Sequence, residues 1–296
     1  LTTAITAAKR NETGMVMGNI AGANINRNGA LTSIAQYRGM YGDRVNINID
    51  GLAITSGGPN AMDAPLHYAP APLLSSLSIY RGIAPVSAGQ ETIGGAVVAK
   101  THQGEFATDQ QWQFTAALTT AYGSAAKTKD VSLFTAVADH QQKIFVSALA
   151  QQGDDYTFPE GEVTPSEYER ARYEVGYAYQ QENHYISLSY MNNATGDAGT
   201  PALPMDIASV DSQFIHSEYR YNDNGVELQL HLATSAVEHI MTNYHLREAA
   251  NPMMLRSNFA TADADDIKLA TKIDAANGYW NIGMDYHNAQ HHSDIS

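Results

Sequence analysis

The chain has 296 residues, no cysteine and a formal net charge of −14, from 17 basic and 31 acidic side chains. This excludes a disulfide scaffold and any thiolate metal site, and it leaves no basic stripe to displace counterions from a nucleic acid. Charged residues make up only 16 % and Tyr outnumbers Phe by 17 to 7; no run of about 18 apolar residues offers a spanning helix, so the composition fits the membrane class that crosses with strands, the β-barrel.

In chain order, the first ten residues lack the charged start and apolar stretch of a secretion signal, so a mature or truncated chain is expected. Residues 1–9 read as the one plausible helix of the first hundred. Short apolar bursts follow at residues 45–49 and 77–80, with Asp50-Gly51 as a turn and Gly57-Gly58-Pro59-Asn60 as a loop. This part predicts a small mixed domain of helix and strand.

After Thr101 the pattern becomes period two. Tyr173, Val175, Tyr177 and Tyr179 alternate with Glu174, Gly176 and Ala178. Val226, Leu228, Leu230 and Leu232 alternate with Glu227, Gln229 and His231, and Trp280, Ile282, Met284 and Tyr286 with Asn281, Gly283 and Asp285. Each segment therefore carries one apolar and one polar face. About nine strands are predicted, beginning near Gln111, Asp130, Lys143, Ala171, His184, Phe214, Val226, Asp266 and Tyr279. Short turns near residues 141–142, 181–183, 222–225 and 276–278 alternate with longer loops at 123–129, 153–169, 193–211 and 247–265. Strict alternation of short and long connections is the habit of outer-membrane barrels. A soluble β-sandwich adhesin explains the period-two faces equally well, but not the loop asymmetry. Nine strands are too few to enclose a hundred-residue domain, since barrels with a filled lumen have about 22. The chain is thus expected to be a piece of a longer barrel.

Two stretches of the first domain carry more than periodicity. Residues 36–51 contain Arg38-Gly39, then Arg44, the apolar burst and Asp50-Gly51. Residues 79–89 contain Arg81-Gly82 and are followed by Ile93-Gly94-Gly95-Ala96-Val97. In this order, ahead of barrel strands, they resemble the plug signatures of TonB-dependent outer-membrane receptors, closely over residues 18–101 and by pattern alone beyond. The resemblance implies an α+β plug domain, residues 1–101, followed by antiparallel transmembrane β-barrel strands, residues 102–296, as the N-terminal part of an incomplete barrel. It implies an energy-coupled importer in the cell outer membrane, with no catalysis and no prosthetic group. Its partners would be the TonB energy-coupling complex, through a motif expected before Leu1, together with outer-membrane lipid and a metal ion or metal chelate. Arginines in a wet lumen form bidentate pairs with carboxylates. Arg38, Arg44 and Arg81 are therefore expected to anchor the plug, with Glu174, Glu218 and Glu227 on the polar strand faces as candidate partners.

The plug loop from Gly57 to Tyr68 looks like that of the copper-receptor branch, in which a Cys-x-x-x-Met pair meets a His-x-Met pair from the barrel. Here Met62 matches the methionine, Gly58 stands where the cysteine would be, and His239-Ile240-Met241 matches His-x-Met. Thioether and imidazole suit a soft cuprous ion, so Met62, His239 and Met241 are the candidate metal ligands and copper the candidate cargo. His239 and Met241 share a face because they are two apart on a strand. Fourteen residues separate Gly225 from His239, a climb of roughly 35 Å along a tilted strand, above an apolar band about 25 Å tall. His67, His245, His287, His291 and His292 are further imidazoles, each weak alone, and Met253-Met254 reads as packing. A siderophore or other metal-chelate receptor would use the same plug and is favoured by the missing cysteine. An enzyme lacks support: there is no Gly-x-Ser-x-Gly elbow, His-Glu-x-x-His helix or phosphate loop.

Overall fold

The computed structural model describes residues 2–4, 13–58, 62–82, 93–249, 251 and 253–296. Of the helix expected over residues 1–9, Thr2–Ala4 is instead strand β1, antiparallel to residues 76–78; the rest lies outside the described residues. Among the described residues the α-helix is a single short one, α1 (Thr13–Met17), beside 3-10 turns at Gly42–Arg44, Pro65–Tyr68 and Ala71–Leu73. Strands β2 (Ala23–Arg27), β3 (Ser33–Tyr37) and β4 (Met40–Tyr41) form a small antiparallel sheet. Strands β5 (Asn46–Ile49), β6 (Leu52–Ala53), β7 (Leu74–Tyr80) and β8 (Ala96–Thr101) join β1 in a mixed sheet of order β1-β7-β8-β5-β6, with β5 and β8 parallel. Asp50 and Gly51 both have positive φ, 51° and 90°, between β5 and β6. This two-residue hairpin turn is what Asp-Gly favours. The Asp50 carboxylate also accepts the Thr101 amide and hydroxyl at 2.9 and 2.8 Å, tying the turn to the end of β8.

Beyond the plug come β9 (Gln113–Gly123), β10 (Thr128–Ala138) and β11 (Gln142–Gly153), then a small hairpin of β12 (Tyr156–Phe158) and β13 (Gly161–Val163). There follow β14 (Tyr168–Gln181), β15 (His184–Ala198), β16 (Asp206–Asp223), β17 (Val226–Thr242), β18 (Ser257–Ala275) and β19 (Gly278–Ile295). Apart from the hairpin these make one nine-stranded antiparallel sheet in chain order, unclosed, with β9 and β19 at its edges. All nine expected strands are present, and no helix occurs among the described residues after Thr101. Connections at one end, residues 139–141, 182–183, 224–225 and 276–277, are short; those at the other, 124–127, 154–167, 199–205 and 243–256, are longer. All four of these loops are shorter than expected, because the strands run on past the apolar band.

The sheet is inside out by the standard of a soluble protein. Along β14, Arg170, Arg172 and Glu174 are 1, 3 and 4 % exposed, whereas Tyr173, Val175 and Tyr177 are 47, 44 and 42 % exposed. Apolar-out, polar-in alternation is stable only where the outer solvent is lipid. A sandwich would press a second sheet on that apolar face, and among the described residues there is none; a plug lies against the other face. Plug residues Met62, Leu66, Tyr68 and Leu77 share one buried cluster with wall residues Ile207, Val210, Val237 and Met241.

Candidate metal centre

The plug loop is organised by one carboxylate. Asp63, fully buried, accepts the Ser56 hydroxyl at 2.6 Å, the Gly57 and Gly58 amides at 2.6 and 2.7 Å, and the Tyr68 hydroxyl at 2.6 Å. Hydrogen bonds to a charged acceptor are the strong kind, so the loop closes around this hub and holds Met62 inside, at 1 % exposure. Burial, then the adjacent Asp63 charge, pushes the Tyr68 hydroxyl well above its ordinary pKa, which keeps it a donor.

The wall supplies the other half. Near the upper end of β17, His239 and Met241 are buried on the lumen face and Ile240 points outward, 37 % exposed. His239 pairs in register with Val210 and Ala260, and Met241 with Ile207 and Asn258. The His239 Nδ1 lies 3.5 Å from an Asp63 oxygen, yet neither ring nitrogen has a hydrogen-bond partner among the described residues. Leaving a buried polar group unpaired costs about 1–3 kcal/mol, so native structures seldom do it without a reason. A Cβ built at Gly58 would overlap the His239 ring. The glycine is thus required by the ring: the imidazole fills the space a side chain at 58 would claim. Met62 and Met241 belong to the same buried plug–wall cluster, and His239 lies against Asp63, the residue next to Met62. No three His, Asp or Glu side chains among the described residues are grouped to hold a metal ion, so any site here depends on thioether sulfur.

The other imidazoles are occupied or exposed. His67 Nε2 meets Thr195 Oγ1 at 2.9 Å and its Nδ1 meets the Leu31 carbonyl at 3.3 Å. Burial, and then the Arg170 charge, lowers its pKa to about 3, so it is a neutral strut. His245 pairs with Asp197 and His287 with Asp266, each at 2.7 Å, and His292 with Asp294 at 3.0 Å. His291 is exposed. Met253 and Met254 are 90 and 52 % exposed rather than packed.

Arg38, Arg44 and Arg81 are all exposed, and among the described residues none forms an ion pair with the expected glutamates. Glu174 is held by Arg172 at 2.7 Å, Glu218 by Arg220 at 3.2 Å and Glu227 by Lys272 at 2.9 Å. The reason is local. Residues two apart on one strand face, or opposite each other in register, are always in reach, whereas the plug arginines lie outside the strands, Arg38 on a turn and Arg44 at the end of a 3-10 helix. The anchor runs the other way: the wall residue Arg170, 1 % exposed, donates at 2.8 Å to the plug carbonyl of His67 and also bonds Gln151. Arg170 was within reach of the sequence, since it shares lumen parity with Glu174.

Residues 3–96 match the TonB-dependent Receptor Plug Domain family. No curated protein matches the chain closely enough in sequence to count as a relative. Among solved structures, the copper transporter OprC is 21 % identical with a TM-score of 0.90, over 100 % of this chain and 46 % of that one. The ferric enterobactin receptor PfeA is 12 % identical with a TM-score of 0.72, over 97 % of this chain and 49 % of its own. The FrpB iron transporter of Neisseria meningitidis is 14 % identical with a TM-score of 0.70, over 97 and 46 %. The chain thus spans about half the length of these structures. Its first hundred residues match a TonB-dependent receptor plug domain, and the whole chain shares the fold of these solved structures. Members of that receptor class are transporters and receptors rather than enzymes, sit in outer membranes and work with TonB.

Proposed function

We propose that this chain is the plug and part of the wall of an outer-membrane importer, divided near Thr101 and driven by the TonB complex, whose cargo is copper as the soft cuprous ion. Met62, His239 and Met241 would receive it. The observation that carries this reading is the fully buried His239 ring, whose two nitrogens have no hydrogen-bond partner among the described residues. Neutral thioethers and imidazole favour Cu(I) and offer Zn(II) little, and the nearby Asp63 carboxylate is already taken by four hydrogen bonds. The test is cuprous titration of the full-length receptor in detergent, beside Met62→Ala and His239→Ala. Each variant should lose at least tenfold in affinity at this site. Equal binding by all three proteins would reject it.

A second reading is favoured by one feature. A cavity of about 510 Å³ lies between the plug and the upper loops, lined by Arg27, Ala30, Tyr156, Val163, Tyr168 and Pro201. That volume is in the range of small-molecule sites, so a metal chelate of siderophore type is the cargo to try if free copper fails.

A further inference from the structure

Lower on the same wall, two imidazoles meet nitrogen to nitrogen. His216 on β16 and His231 on β17 both face the lumen, with His231 opposite Glu218 in register. The His216 Nε2 lies 3.2 Å from the His231 Nδ1, the ring centres are 5.5 Å apart, and the planes differ by 8°. A centre-to-centre distance longer than the nitrogen gap by only two ring radii places both nitrogens near the line joining the centres. The rings therefore lie edge to edge in nearly one plane, not face on face, with one nitrogen donating its N–H to the other along the line that joins them. The other nitrogen of His231 is turned towards Glu218, 3.8 Å away. Over the pair sits the plug turn: a Cβ on Gly51 would come within 3.2 Å of the His231 ring.

We propose that His216 and His231 form a second, two-coordinate site for a soft monovalent cation, a stop on the path between plug and wall. It rests on the reading of the cargo as a soft cation. Two metal–nitrogen bonds of about 2.0 Å in line span about 4 Å, so the nitrogens must part by under about 1 Å. Each neutral imidazole gives one lone pair inward and keeps its proton on the outer nitrogen. One ring exchanges tautomers on binding; no proton leaves and nothing is oxidised. The outer N–H of His231 then faces Glu218, the carboxylate–histidine arrangement that fixes a metal-bound ring. Among the described residues no third His, Asp or Glu completes a group for a harder ion, so tetrahedral zinc is disfavoured and linear Cu(I) or Ag(I) is preferred. Eight residues of β17 separate His231 from His239, roughly 20 Å along the axis of a tilted strand. A cation leaving the upper contact therefore finds its next soft ligands below the plug turn.

The experiment is titration of the full-length receptor in detergent with Ag(I), a soft and redox-inert probe, for the native protein and for His216→Gln, His231→Gln and His239→Ala, with folding of each checked by its thermal transition. Two equivalents are expected in the native protein and one in each variant. The cation kept by His239→Ala should show nitrogen neighbours and no sulfur in X-ray absorption. One equivalent in the native protein, lost in His239→Ala and kept in both glutamine variants, overturns the lower site and leaves the upper one standing. One equivalent lost in the glutamine variants and kept in His239→Ala supports the lower site and removes the upper. Sulfur around the cation kept by His239→Ala overturns the two-imidazole site.

Discussion

At the scale of single residues, Gly58 decides what the plug loop can do. Because the His239 ring fills the space of a side chain at 58, Gly58→Ala must push the imidazole away while leaving the strands untouched. We expect that variant to fold and to lose cuprous affinity about tenfold, or about 1.4 kcal/mol, as measured by competition with a chromogenic cuprous chelator. His67 gives a second expectation. It is neutral and buried with a pKa of about 3, against an ordinary value of 6.5, so the unfolded plug takes up a proton that the folded plug refuses. The stabilisation is fully present above pH 6.5 and is lost as the pH falls from 6.5 towards 3, at up to about 1.4 kcal/mol per unit. Hydrogen exchange of the plug amides should therefore speed up between pH 7 and pH 5, once corrected for intrinsic rates, and His67→Gln should flatten that dependence. An unchanged slope in the variant would contradict the assignment. Here the sequence was half legible. Parity put Glu174, Glu218, Glu227, His239 and Met241 on the lumen face, but a face is not a partner, and the nearest wall cations took the glutamates.

At the scale of elements, the strands obey two different demands along their length. Within lipid, one face must be apolar, and there period two marked β10, β11, β14, β15, β17 and β19 to within about three residues. Above the lipid no apolar face is required. The upper part of β16 carries Asp206, Ser209, Asp211 and Ser212, and that of β18 carries Asn258, Thr261 and Asp263. These stretches read as loop, yet they are strand from Asp206 and Ser257, held by the neighbouring ladder rather than by patterning. The helix expected over residues 1–9 failed at Thr2–Ala4 for a similar reason: a pairing edge on β7 was available. The lipid-facing assignment is itself testable. Val175, 44 % exposed on the outer face, should not tolerate a charge: Val175→Arg is expected to cost about 2–4 kcal/mol if it lies at the bilayer midplane. Folding into lipid vesicles, followed by the gel-mobility shift of the folded barrel, measures this; a neutral effect would argue that the face is wet.

At the scale of the whole molecule, the proposed import needs a plug held firmly enough to seal and loosely enough to be disturbed. Apolar contact between the plug and β16 to β18 supplies area, while direction comes from a few polar links, above all Arg170 to the His67 carbonyl. The candidate cargo site lies on this same seam, so that a pull on the plug would separate Met62 from His239 and Met241 and weaken the grip on the ion. Binding and release would then be one motion. The most direct measurement is anomalous diffraction from crystals of the full-length receptor soaked in Ag(I). A peak bounded by the sulfurs of Met62 and Met241 and a ring nitrogen of His239 is expected. A well-ordered plug with no peak at that contact would contradict it.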